Sequence, residues 1–285
     1  MTKTPSITDL EVKAYDIRQD IIRMLEHAGS GHSAGPLGLA DIFTALYFDI
    51  LKHDPKNPEW EERDILLLSN GHCVPVQYTS MAHAGYFDKD ELMTLRKLGS
   101  RLQGHPERTK LPGLENTSGP LGSGLSQACG MALAMRMNKD QHRWVYVVMG
   151  DGEQDEGNVW EAAMLAGKYK LGNIIAITDR NNIQIDGPTE TVMPLEDLSA
   201  KWEAFGWHVL EIDGNNIQDV IDACALARAV VDKPVMIIAR TIPGKGVDFM
   251  EYDFTWHGKP PDHDQAKKAL HELRTLQGKI KGEHE

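Results

Sequence analysis

Between residues 143 and 241, short apolar runs alternate with segments of helical periodicity, and no other feature restricts the fold as much. Arg143–Met149, Asn173–Thr178, Trp207–Ile212 and Pro234–Thr241 are strand-forming runs with little polar alternation, the pattern of strands covered on both sheet faces. Asn158–Tyr169, Leu195–Phe205 and Ile217–Val231, which lie between them, read as helices. Strand–helix–strand repetition closes most readily as parallel pairs, with the helices packed back onto the sheet. The chain is therefore expected to be α/β and doubly wound, with a mainly parallel sheet and helices on both faces.

The first half is less regular. Thr8 and Glu11 have capping-box spacing, Leu10, Ala14, Ile17, Ile21 and Met24 repeat at helical spacing, and Gly29 stops the pattern. A second helix is expected from Pro36, carrying Ile42, Leu46 and Ile50 inward. Ile65–Leu68 reads as a buried strand, and Asp88–Leu98 and Ser123–Met137 as helices. Pro260 and Pro261 break the chain before a polar terminal helix, expected to be a solvated cap. Residues 1–262 are read as one large domain and 263–285 as its helical extension.

The formal net charge of -12 argues against a general nucleic-acid or anionic-membrane binder, but not against one phosphorylated ligand in a local site. Cys73, Cys129 and Cys224 are far apart and match no metal-ligand spacing, so they read as reduced thiols. There is no signal-peptide pattern and no apolar run long enough for a membrane span, which makes the cytoplasm the expected location.

The stretch GDGEQDEGNVWEAA, Gly150 to Ala163, has the form of a strand–turn–helix phosphate site with the wrong charge. Asp151, Glu153, Asp155 and Glu156 crowd the turn, and no basic residue accompanies them. A second strand end, TDRNNIQIDG, places Asp179, Asn181 and Asn182 before Gly187. Asp151 and Asn181 are 30 residues apart, about one β-α-β unit, so they meet at one sheet edge. A carboxylate, an amide oxygen and a backbone carbonyl are hard ligands that suit Mg²⁺ or Ca²⁺, and Mg²⁺ commonly completes its shell with phosphate and water. The cation would bring a phosphate to the acidic turn, with Gly152 letting the backbone come close. Taken alone, Asp151 could be a helix cap and Asn181 a turn residue. The two motifs at this spacing favour a metal–diphosphate site, and no G-x-G-x-x-G opens a helix to suggest a dinucleotide.

Four histidines occupy glycine-rich or proline-flanked loops: His32 in GSGHSAGPLG, His72 in SNGH, His105 in LQGHPE and His257 in TWHGKPP. A lone loop histidine is more often a surface residue. Four of them, with SGPLGSG at Ser118–Gly124, suit a polyhydroxylated substrate, because imidazoles exchange hydrogen bonds with hydroxyls near neutral pH. His27, His53, His83, His142, His208 and His263 lack comparable contexts and read as structural or solvated.

In order and spacing, SGH, SNGH, GHPE, GPLGSG, GDG–E, NNIQIDG and WHGKP resemble transketolase over nearly the whole chain. The resemblance implies a diphosphate-binding domain for thiamine diphosphate. Asp151, Asn181 and the Ile183 carbonyl would hold Mg²⁺, and Gly152 and Asn181 would touch the diphosphate. His72, Gly119, Pro120, Leu121 and His257 would contact the cofactor, and His32, His105 and His257 the sugar or the reacting carbon. Glu156 resembles a carboxylate that communicates with the neighbouring subunit, although an ordinary acid at a helix N-terminus explains it as well. Leu121 and Ile185 would form an apolar wall, or simply pack in the core. Where some transketolases carry a lysine, this chain has Pro243, so Lys245 receives no role.

In transketolase, the glutamate that activates the cofactor lies in a second, pyrimidine-binding domain, which this chain is expected to lack. The resemblance therefore implies the N-terminal subunit of a split enzyme, with a separate C-terminal subunit, in an α2β2 assembly acting on sugar phosphates. The alternatives are the α subunit of a thiamine-dependent 2-oxo acid dehydrogenase, disfavoured by the loop histidines, and a non-catalytic cofactor-binding homologue, disfavoured by the intact metal motif.

Overall fold

A computed structural model describes residues 5–140 and 142–284. Its helices are α1 (Ile7–Ala28), α2 (Ala34–Gly38), α3 (Ala40–Ala45), α4 (Val74–Ala84), α5 (Ser123–Met137), α6 (Gly157–Tyr169), α7 (Thr189–Val192), α8 (Leu198–Ala204), α9 (Ile217–Ala229) and α10 (His263–His284). Its strands are β1 (Ile65–Leu68), β2 (Val145–Gly150), β3 (Ile174–Arg180), β4 (Ile183–Gln184), β5 (Gly187–Pro188), β6 (His208–Asp213) and β7 (Val235–Arg240).

The main sheet runs β1-β2-β3-β7-β6 with every pair parallel, as the alternation predicts. Alternate residues of each strand feed opposite faces. Leu66, Tyr146, Val148, Ile175 and Ile177 pack beneath α1, α3, α4 and α9. Leu67, Val147, Met149, Ile174 and Ala176 pack beneath α5, α6 and α8, with Trp202 and Trp207 filling that side. The edge strand β6 is the exception, with its residues exposed or half-buried. The antiparallel β4–β5 hairpin follows β3 directly and carries Ile183 to the carboxyl edge of the sheet.

Several expectations are corrected. The capping box of α1 is Ser6 with Asp9, not Thr8 with Glu11: Ser6 Oγ accepts from the Asp9 amide at 3.1 Å, and the Asp9 carboxylate accepts from the Ser6 amide at 2.9 Å. The helix expected from Pro36 is α2, α3 and a π turn at Leu46–Ile50, although Ile42, Leu46 and Ile50 are all buried as expected. Asp88–Leu98 is not a helix. It holds one 3₁₀ turn, Lys89–Thr94, started by Asp88 accepting from the Asp90 amide at 2.9 Å, after which the chain reverses at Arg96 with φ 60°. Helix α4 has no counterpart in the sequence reading because Val74–Ala82 are all buried, so no polar face marks its period. Helix α10 is more than a solvated cap. Ala266, Ala269 and Leu273 are buried, and Gln277 Nε2 donates to Val12 O at 3.0 Å and to Asp16 Oδ1 at 2.7 Å on α1. Among the described residues, no helix is long and apolar enough to cross a membrane. Cys73, Cys129 and Cys224 are buried and unbridged.

Candidate functional site

The carboxyl ends of β1, β2 and β3 open into one cleft of about 430 Å³. The connections after β1 and β2 bring in His72, Asp151 and Gly152, and the one after β3 brings Asn181 and Ile183. Long loops add His32, His105, Gly119, Leu121 and His257. Two expected site residues lie elsewhere. Pro120 does not line the cleft, and its carbonyl accepts the Ser123 hydroxyl at 2.9 Å. Glu156 is exposed at the N-cap of α6, makes no side-chain cap bond and stays out of the cleft.

The four carboxylates of the acidic turn separate into distinct environments. Asp155 and Glu156 face solvent, whereas Asp151 and Glu153 are buried. Register places Gly150 opposite Asp179, which brings the two polar strand ends side by side. Asp151 Oδ1 accepts from the Gly152 amide at 2.7 Å, and Oδ2 from the Asn182 amide at 2.7 Å and Arg180 Nη1 at 3.1 Å. Burial pushes its carboxyl up to about 6, against the pull of these donors. Asn182 holds φ 63°, a left-handed conformation that asparagine tolerates, and this aims its amide at Asp151. Asn181 Nδ2 donates to Asp179 Oδ2 at 2.9 Å, while its Oδ1 accepts from the Ile183 amide at 3.0 Å. Asp179 also accepts the Thr241 hydroxyl, and burial pushes it up to about 7.

Among the described residues, no three His, Cys, Asp or Glu side chains converge on a metal position. The set expected here is of another kind, with one carboxylate, one amide oxygen and one carbonyl. These groups fit a hard cation. An ionised carboxylate has about four acceptor positions, and Asp151 uses three. The Asn181 oxygen likewise keeps one position after its bond to Ile183.

The cleft also fits an organic anion. A Cβ at Gly119 would come no nearer than 3.9 Å to a neighbour, and one at Gly152 no nearer than 3.4 Å, so bare backbone faces the cleft where packing does not demand it. Among the described residues, Asn70 Nδ2 and Oδ1, His32 Nδ1 and His257 Nδ1, all on residues that line the cleft, are buried without a partner, which is costly unless a ligand supplies one.

Three of the loop histidines form a cluster. The ring centroids of His32 and His72 are 4.9 Å apart, those of His72 and His257 5.1 Å, and those of His32 and His257 5.7 Å. Burial drives His32 down to about 4 and holds His72 well below the ordinary imidazole range. Burial lowers His257 too, and burial and then Arg96 lower His105. All four are therefore neutral at pH 7, and each ring offers one donor and one acceptor. The remaining loop histidine, His105, approaches from the side of Ser118 and Gly119, where its Cδ2 would lie 3.2 Å from a Cβ at Gly71.

Asn70, Glu153 and Arg180 receive no individual site role from the sequence. Asn70 sits inside the quoted SNGH, where a polar residue ending an apolar strand was a usable signal. Glu153 could not be told from its acidic neighbours, because only burial separates them. Arg180 is buried with Asp151, Thr189, Glu190 and Glu196 around its guanidinium, an arrangement with no sequence signature.

Residues 11–276 match the family described as transketolase, thiamine diphosphate binding domain. Over 265 residues the chain is 43% identical to the 6-deoxy-6-sulfo-D-fructose transketolase subunit SqwG of Clostridium sp. (strain MSTE9), covering 93% of this chain and 96% of that one. It is 40% identical over 278 residues to an apulose-4-phosphate transketolase subunit of Phocaeicola vulgatus, covering 98% of each. A crystal structure of transketolase from Pichia stipitis superposes with a TM-score of 0.86 at 32% identity, over 96% of this chain but only 46% of that one.

Proposed function

The chain belongs to the transketolase family, and from that premise we propose that it is the thiamine diphosphate-binding subunit of a two-chain transketolase that moves a two-carbon ketol unit from a ketose phosphate to an aldose phosphate. The observation that carries this reading is the cluster of neutral, partly unpartnered imidazoles facing the Asp151–Asn181 strand ends across one cleft. Relatives of nearly equal length are named as subunits, and the chain spans 46% of the Pichia stipitis protein, which supports a separate C-terminal partner; that partner would carry the pyrimidine-binding domain, in a proposed α2β2 assembly.

In this reading Asp151, Asn181 and the Ile183 carbonyl hold Mg²⁺, or Ca²⁺ in its place, Gly152 and Asn181 touch the diphosphate, and Gly119 and Leu121 contact the cofactor. When bound, thiamine diphosphate supplies the nucleophilic carbon that carries the ketol unit. His72 and His257 flank the cofactor, while His32, His105 and His257 exchange hydrogen bonds and protons with the sugar hydroxyls. Leu121 and Ile185 stand 39% and 64% exposed beside the cleft, where the partner would cover them and exclude water. Glu156, exposed at the N-cap of α6, is assigned the role of communicating between the sites of neighbouring subunits.

The test is ketol transfer from a ketose phosphate to an aldose phosphate with thiamine diphosphate and Mg²⁺, assayed with and without the C-terminal subunit. Activity is expected only with both chains. Robust transfer by this chain alone would refute the two-chain reading. A 6-deoxy-6-sulfoketose donor in the same assay would decide whether the terminal anion is a phosphate or a sulfonate.

A further inference from the structure

We propose that Glu153 is a positioning residue that fixes the cofactor-facing loop Gly119–Gly122. The proposal rests on the cofactor reading above. The Glu153 side chain is 3% exposed and joins three separate segments. Oε1 accepts from the Gly122 amide at 2.7 Å and from the Ser69 hydroxyl, and Oε2 accepts from the Gly150 amide at 3.0 Å. Ser69 Oγ in turn accepts from the Gly124 amide at 3.0 Å. One carboxylate thus ties the ends of β1 and β2 to the start of α5.

Gly122 is the N-cap of α5 and has no side chain, so this helix begins without a cap of its own. The first amides of a helix need acceptors, and its positive end favours an anion. Glu153 and Ser69 supply both from outside the helix. The N-terminus of α5 is therefore already neutralised and is not the place where a diphosphate would sit. The ligand is left to the Gly152 and Asn181 side of the cleft. The close approach is enforced sterically, since a Cβ at Gly124 would lie 2.4 Å from Ser69 Cβ and Oγ, and one at Gly122 2.9 Å from Glu156 Cβ. Gly119 and Leu121, which line the cleft, belong to this clamped segment. Their position relative to His72 and Gly152 is set by Glu153.

Glutamine at this position keeps the shape but accepts on one side only, so either the Gly150 amide or the Gly122 amide together with the Ser69 hydroxyl loses its acceptor. Glu153→Gln should weaken thiamine diphosphate binding to the reconstituted two-chain complex by tenfold or more in saturating Mg²⁺. Ser69→Ala should weaken it in the same direction, with the double variant little worse than the worse single one, because both changes break one network. Cofactor affinity is read by titration calorimetry. Amide exchange at Gly122, Gly124 and Gly150, followed by NMR without cofactor, should accelerate at least tenfold at one or more of these positions in each variant. If folded Glu153→Gln keeps wild-type affinity, or the Gly122 and Gly150 amides both keep their protection, the positioning role is wrong. Should Glu153→Gln fail to fold, Ser69→Ala decides on the same two readouts. A wild-type complex that binds no thiamine diphosphate would instead overturn the cofactor reading, and the exchange measurement would still judge the clamp.

Discussion

Asp151→Ala separates what the acidic turn does for the fold from what it does for the ligand. The alanine leaves the Gly152 and Asn182 amides without an acceptor, while Arg180 keeps Thr189, Glu190 and Glu196. Two orphaned buried donors cost about 2–6 kcal/mol. Against this, the wild-type carboxyl is pushed from 3.8 up to about 6, so its ionised form is disfavoured in the fold by roughly 3 kcal/mol at about 1.4 kcal/mol per pH unit, and alanine removes that burden. The two effects nearly offset. The variant should stay within about 3 kcal/mol of wild type, a melting shift of less than about 10 °C. Ligand binding should respond differently. Asp151 is the one carboxylate in the proposed metal set, and even residues behind a metal ligand are worth about 10–100-fold. Loss of the ligand itself should weaken Mg²⁺-dependent thiamine diphosphate binding by at least about 100-fold, about 2.7 kcal/mol. Titration calorimetry on the reconstituted two-chain complex reads the affinity, and a thermal melt of the same sample checks folding. A folded Asp151→Ala complex that binds the cofactor normally in Mg²⁺ would refute the metal assignment.

Three further outcomes are expected. His32 should titrate near pH 4 by NMR, because burial and then the charges of His257, Arg96 and His105 oppose its protonation, whereas exposed His263 beside Glu26 should titrate above its ordinary value. With the folded value of His32 depressed, the unfolded chain takes up the proton first, so the stability linked to this ring is present above pH 6.5 and is lost as pH falls toward 4; a His32 midpoint at 6 or above would contradict the buried cluster. Gly167→Ala should cost about 3 kcal/mol or more in denaturant unfolding, since its Cβ would lie 1.9 Å from Phe205 O, while Gly130→Ala, with nothing within 4 Å, should gain about 0.5–1 kcal/mol; equal midpoints for the two would disprove the packing of α6. Leu273→Ala should cost about 2–5 kcal/mol, because Leu273 is fully buried against α1, and a loss below about 0.5 kcal/mol would return α10 to the status of a solvated cap.

The sequence by itself determined the parallel sheet, because runs such as Val145–Met149 and Ile174–Ile177 are apolar on both faces and alternate with helices of the right length. It also determined that Asp151 and Asn181 share an edge, since one β-α-β unit leaves them little freedom. Periodicity could not reveal α4, whose uniformly buried first nine residues have no polar side to mark a turn, nor the contact of α10 with α1, made by residues more than 230 positions apart. Tertiary structure alone decided the fates of the four carboxylates in GDGEQDEG. They carry the same charge within six residues, yet Asp151 faces Asn182 and Arg180, Glu153 clamps three segments, and Asp155 and Glu156 reach solvent. The physical reason is that a local pattern fixes which backbone conformation a segment prefers, whereas the environment of a charge depends on which distant donors the completed fold brings within hydrogen-bond reach.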